Sequence, residues 1–258
     1  SNTGSLNLAN ATITYPVSNQ GSITLGSGLT FTQLFSNQGT LEATSGTTIF
    51  QMGLEQNAGL LWLRGGNIGG NVSLNGGALR GNGSIFGNLS IGNATIAPGN
   101  SPGMLNISGN LNLTSSSTTA IEIASDVAGT GYDQINVSGT ANLNGTLTVS
   151  ALNGYVPPAG RAYRIMTYSA KTGDFVTKRL LPNQTDRQSP TAIDLVSATT
   201  TTLATINEPV VSQNTATVIS SLNKITFDES GSLVIVLSEP IKDTSKEKKL
   251  DEQLAACP

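Results

Sequence analysis

The chain of 258 residues contains no histidine, one cysteine and one tryptophan, and only 11% of it is charged. Without histidine there is no His-dependent nucleophilic or general-base chemistry and no imidazole metal site. The lone cysteine, Cys257, can build neither a disulfide scaffold nor a thiolate metal site. A net charge of -3, with Lys and Arg scarce outside the last stretch, speaks against nucleic acid as a partner and leaves no basic face for a membrane surface. Long apolar runs are missing as well. The longest, Leu233 to Leu237, falls far short of the roughly 18 residues of a spanning helix. The opening SNTGSLNLAN lacks the basic start and apolar middle of a signal peptide, so either a secretory segment has been removed or the chain is an internal fragment, and the fragment is the favoured expectation.

What is abundant is Gly, Asn, Ser and Thr. Between about residues 5 and 115, short alternating runs such as GSITLGSGLTF, GLLWL and NVSLNGGAL are separated by Gly- and Asn-rich corners, each run too short for a helix. The corners Asn19-Gln20-Gly21, Asn37-Gln38-Gly39, Asn57-Ala58-Gly59 and Asn75-Gly76-Gly77 begin at intervals of 18, 20 and 18 residues. That period suits a parallel β-helix, an all-β solenoid in which each turn supplies about three short strands and buries alternate side chains. Ile23/Leu25, Leu41/Ala43, Leu61/Leu63 and Leu89/Ile91 are the expected inward pairs. Asn and Gly suit the corners because both tolerate left-handed backbone angles. An antiparallel sandwich also uses short alternating strands, but its loops vary more in spacing.

IAPGNSPGMLNISGNLNL, residues 96 to 113, holds two Pro-Gly steps four residues apart. Pro98 and Pro102 each fix one backbone angle, and Gly99 and Gly103 supply the conformations that follow proline in tight turns, which makes PGNSPG a double corner. After it Leu105, Ile107, Leu111 and Leu113 alternate with Asn106, Ser108 and Asn112. The region from Ile96 to Phe175 resembles the C-terminal part of β-helical passengers of autotransporters and two-partner-secretion, filamentous-haemagglutinin-like adhesins. The matching residues are Pro98-Gly99, Ser101-Pro102-Gly103, Gly109-Asn110, Tyr132-Asp133, Val137 with Gly139, Leu143 with Gly145-Thr146-Leu147, Gly160 before Tyr163, and Gly173 with Phe175.

The resemblance implies a right-handed parallel β-helix that is exported, displayed on the surface of a Gram-negative cell, and closed by a C-terminal segment that helps the rest to fold. Residues 1–115 are then helix coils, 116–196 the terminal coils and cap, and 197–258 a linker, a β-hairpin and a charged tail. Ala151 to Phe175 is the expected cap, with Tyr155, Tyr163, Tyr168 and Phe175 as its plug. The implied function is that of the C-terminal portion of a secreted adhesin, serving as stalk, folding cap and surface anchor. Its implied partners are an outer-membrane transporter and a host-cell, matrix or polysaccharide receptor. Some two-partner adhesins are retained by a C-terminal disulfide knot, a role for which Cys257 is the candidate, although a knot needs a second cysteine. Ten Asn-x-Ser/Thr sequons, at Asn10, Asn71, Asn82, Asn88, Asn93, Asn106, Asn112, Asn136, Asn144 and Asn183, are either glycan acceptors or plain corner and ladder residues.

Two other functions compete with this one: a structural stalk without binding activity, and a polysaccharide-active β-helix enzyme. An enzyme needs clustered carboxylates, a basic residue or a metal, and here the carboxylates are scattered. Glu42 and Glu55 are 13 residues apart, Glu122 and Asp126 fall near the end of the helix, Asp133 and Asp174 read as turn residues, and Arg64 and Arg80 as surface side chains. No catalytic residue, cofactor or metal ligand is assigned. Trp62 is either a sugar-stacking platform or, more simply, a side chain packed on a neighbouring loop, because Leu61 and Leu63 have the inward parity. Thr199 to Thr217 reads as an extended linker or edge strand, KITFDESGSLVIVL as a hairpin turned at Glu229-Ser230-Gly231, and the residues from Lys242 on as a short charged helix or disordered tail.

Overall fold

The computed structural model describes residues 1–198 and, beyond them, the strands Leu222–Phe227 and Leu233–Leu237. Ser1–Thr200 forms one compact unit and Thr201–Pro258 a second. In the second unit the two strands pair antiparallel, as expected of KITFDESGSLVIVL. Its turn, the segment from Thr199 to Thr217, the charged tail and Cys257 lie outside the described residues.

The first unit is a parallel β-solenoid, and among the described residues there is no helix. Each turn lays one short strand on each of three faces. Val17–Asn19, Ser22–Leu25 and Leu29–Phe31 form one such turn, and Phe35–Asn37, Thr40–Ala43 and Thr47–Phe50 stack on it in parallel. The first face carries eight strands, from Val17–Asn19 to Ala170–Gly173. On the second face Ile23, Leu41, Leu61, Leu79 and Ile96 lie in one register column. Alternation places every second side chain inside, so all the expected inward pairs, together with Leu105, Ile107, Leu111 and Leu113, are buried. Stacking continues without a break past residue 115, since Thr118–Ile123 pairs with Thr95–Pro98 on one side and Thr146–Ala151 on the other.

The regular corners have a different cause from the expected one. Asn19, Asn37, Asn57 and Asn75 do not take left-handed angles; Gly59 and Gly77 do, with φ of 73° and 76°. Asn19 and Asn37 end their strands facing inward and are fully buried, in one column with Asn2 and Gln56. Asn2 Nδ2 donates to Asn19 Oδ1 at 2.7 Å, Asn19 Nδ2 to Asn37 Oδ1 at 2.6 Å, and Asn37 Nδ2 to Gln56 Oε1 at 2.7 Å. The Gln56 amide turns to the carbonyl of Ala58, and the next residue in the column is Leu74. A carboxamide both donates and accepts, so it can be buried when the turn above supplies the same group at the same height. Other asparagines act outside: Asn71, Asn82, Asn88 and Asn110 each accept the backbone N–H of a residue on the following turn, at 2.6 to 2.9 Å. Asn106–Asn136–Thr167 and Asn112–Asn142–Thr172 form two outer ladders. Six of the ten sequon asparagines, at 71, 82, 88, 106, 112 and 136, thus already use their carboxamides between turns.

The parallel stack ends at a reversal of strand direction. Ala162–Thr167 pairs in parallel with Gln134–Val137 but antiparallel with Ala192–Ser197, which pairs antiparallel with Gln184–Gln188. Tyr163, Tyr168 and Phe175 are buried here and Tyr155 is half-buried, so the expected aromatic plug is present, within a cap that extends to Ser197. Tyr163 meets Tyr132 edge to face with ring centroids 5.3 Å apart.

Asn37→Ala tests the inner ladder. It leaves Gln56 Oε1 without its buried donor, while Asn19 Nδ2 keeps the carbonyls of Gly21 and Thr40 at 3.2 and 3.1 Å, and chemical denaturation should show a loss of about 1–3 kcal/mol for the orphaned acceptor. Asn19→Ala combined with Asn37→Ala should lose less than the sum of the two single losses, because both act on one network.

Candidate functional site

The corner between the second and third faces is short in most turns, but in three successive turns it carries longer loops: residues 99–103, 124–133 and 152–161. The first is the double corner. Pro98 and Gly99 are buried, and Gly99 has φ of 82°, as its place after proline requires. Gly103 departs from the expected role. Its φ is not left-handed; it is glycine because a Cβ would lie 2.1 Å from Gly99 Cα and from Asn82 Oδ1. The left-handed residue of the second corner is Ser101, with φ of 72°. The Ser101–Pro102 peptide bond is cis.

Asp133 fastens this corner. Expected as a turn residue, it is instead buried at 1% exposure: Gly103 N donates to its Oδ1 at 2.6 Å, and Glu122 N donates to its Oδ2 at 2.8 Å. One carboxylate therefore satisfies two backbone donors that the loops leave without strand partners. Burial pushes its pKa up to about 7, against the pull of those two N–H groups, with the Glu122 charge adding to the rise. Glu122 in turn accepts from Ser101 Oγ at 2.5 Å. Further along the same edge, Asp126 accepts from Tyr155 at 2.6 Å and Tyr163 at 3.0 Å and faces Arg161 at 3.4 Å. The Tyr155 hydrogen bond and its companions hold the Asp126 carboxyl below its ordinary pKa, while burial pushes the Tyr163 hydroxyl far up.

Held in this way, the double corner folds over the outer surface of the second face. Trp62 Nε1 donates to Asn100 Oδ1 at 2.8 Å, so the tryptophan does pack on a neighbouring loop, with Leu61 and Leu63 inward as their parity requires. Arg64 lies 4.7 Å from the indole centroid and pairs with Glu42 at 2.6 Å. Between the corner and the strands is a cleft of about 320 Å³ lined by Leu60, Trp62, Arg80, Gly99, Asn100 and Ser101.

Of the residues singled out in the sequence, Pro98, Gly99, Ser101, Pro102, Gly103, Tyr132 and Asp133 thus come together at one edge. Gly139, Gly145, Gly173 and Phe175 do not join them. Gly139 stacks on Gly109, Gly145 and Gly173 take left-handed angles of 72° and 66°, and Phe175 is buried in the cap. Glu42 and Glu55 stand on different faces, and Asp174 is a turn residue whose Oδ1 accepts from Phe175 N at 2.7 Å. Reasoning from sequence passed over Asn100 and the cleft. The signal was the single tryptophan, but its partner lies 38 residues away and only the stacking of turns joins them. No family model matches the chain, and no curated protein matches it.

The buried Asp133 has a consequence for stability. Its folded pKa lies above the unfolded value, so between about pH 4 and 7 the folded chain keeps a proton that the unfolded chain releases, and stability falls as pH rises. The chain has no histidine to mask the effect. Thermal melts from about pH 5 to about pH 8 should show Tm falling, by at most about 1.4 kcal/mol of stability per pH unit. Asp133→Asn should flatten that slope and lower Tm throughout, since an amide NH2 would face one of the two backbone donors.

Proposed function

We propose that this chain is the C-terminal portion of a surface-displayed bacterial adhesin of the two-partner or autotransporter kind, acting as its stalk and folding cap. The observation that supports this most is the closure of the solenoid. Parallel turns end in an antiparallel cap: the segment from Ile96 to Phe175, which resembles such passengers, supplies its buried aromatics and the strand Ala162–Thr167, and Gln184–Gln188 and Ala192–Ser197 complete it. A chain translocated unfolded needs a unit on which further turns can settle, and a solenoid closed at one end provides it, because each turn depends only on its neighbours. The wall is largely neutral and polar, and asparagine ladders inside and outside it join turn to turn. Retention through Cys257 belongs to the same proposal, as does recognition of a host or polysaccharide receptor.

The test is display. When the full gene product is expressed in a Gram-negative host with its transporter, protease added to intact cells should reach this chain and trim it to a folded, resistant fragment, and deleting residues 162–197 should abolish that fragment. Confinement of the chain to the cytoplasm would overturn the reading. Cys257→Ser should increase release into the medium if the thiol anchors the protein.

A further inference from the structure

The outward column of the second face runs Thr24, Glu42, Trp62, Arg80, Ala97. Two arginines flank the tryptophan and differ in circumstance. Arg64 is held by Glu42, whereas exposed Arg80 has no ion-pair or hydrogen-bond partner among the described residues. It lies in the cleft with Trp62, Asn100 and Ser101. The opposite wall is fixed at three points: Asn100 by the indole N–H, Ser101 by Glu122, and Gly103 by Asp133. Such a wall loses little freedom when a ligand arrives.

We propose that this cleft binds an acidic saccharide, a sugar ring bearing a carboxylate. Each part of the ligand has a counterpart. The apolar C–H face of a pyranose packs on an aromatic carbon surface, which Trp62 and Leu60 supply. A carboxylate matches the planar guanidinium fork of Arg80. Ring hydroxyls both donate and accept; the Asn100 amide NH2 can donate to them, and the Ser101 oxygen, whose proton goes to Glu122, can accept. The volume of about 320 Å³ falls at the lower end of small-ligand sites, which range over about 300–1,000 Å³ and so suit one or two sugar residues here. One unpaired cation is too few for a polyphosphate, which needs several. The inference deepens the adhesin reading by naming the receptor chemistry, but the binding itself is a property of this chain wherever it resides.

Because Trp62 is the only tryptophan, its fluorescence reports on this cleft alone. D-glucuronate, glucose and acetate would be titrated into the 258-residue chain, with the dissociation constant read from the emission. Glucuronate should give a saturable change; glucose should bind at least about 10-fold more weakly because it lacks the charge-assisted hydrogen bond, and acetate at least about 10-fold more weakly because it lacks the ring contacts. Arg80→Gln should weaken glucuronate binding by about the same factor with Tm unchanged, while Arg64→Gln should leave most of the affinity. No saturable change with glucuronate overturns the proposal. Glucose binding equally well overturns its acidic part, and acetate binding equally well its saccharide part. If glucuronate binds but the full product is not displayed on cells, the adhesin reading fails and the cleft assignment stands; display without binding does the reverse.

Discussion

Everything in the solenoid depends on like stacking on like. A turn of 17 to 31 residues has almost no interior of its own, and the separations between bonded ladder partners show this spread directly. Each strand satisfies its backbone only through the turns above and below, and each inward side chain is covered only by its register neighbours. That requirement selects residues that tolerate their own kind. Leucine and isoleucine stack as aliphatic columns, Phe31 stacks flat on Phe50 with centroids 4.9 Å apart, and asparagine stacks through its own amide. Charge is sparse because like charges in register would repel: Glu42, Glu55, Arg64 and Arg80 are scattered over the strands of the wall, Arg64 paired with Glu42, and further ion pairs gather at the loops and the cap.

The inner amide ladder also does something aliphatic columns cannot. A strand alternating leucine and polar residues buries as well after a slip of two residues as before it. A buried amide does not, because one step out of place leaves donors and acceptors facing hydrocarbon. The column of Asn2, Asn19, Asn37 and Gln56 thus acts as a register lock over the early turns, and it gives way to Leu74 where the chain continues as hydrocarbon.

Much of the architecture was legible in the chain because it is periodic. Short alternating runs, an 18- to 20-residue spacing and Gly-rich corners are local signals that the fold repeats, and they give the inward set correctly at Ile23, Leu41 and Leu61. The roles of individual polar residues were less legible. Asn19 looks like a corner residue until the turn above supplies Asn37, and Asp133 looks like a turn carboxylate until Gly103 and Glu122 point their N–H groups at it. Parity separates inside from outside along a strand, but what a polar group meets is decided by partners 11 to 38 residues away. The cleft belongs to this second class. Its motif, PGNSPG, reads fully as a backbone corner, and only stacking reveals that Asn100 at its tip reaches Trp62.

The antiparallel reversal at Ala192–Ser197 makes the two ends of the stack unequal. At the other end, Ser5–Leu8 and Ala11–Ile13 pair on one side only, and Leu6 stays 44% exposed. Removing one whole turn from that side would leave Asn19 where Asn2 now stands, heading a shorter ladder over a strand edge of the same form. Removing anything from the capped side would open the aliphatic columns to water. The fold is therefore modular before the cap and indivisible at it, so length can change by whole turns among the stacked strands while the closed end stays constant.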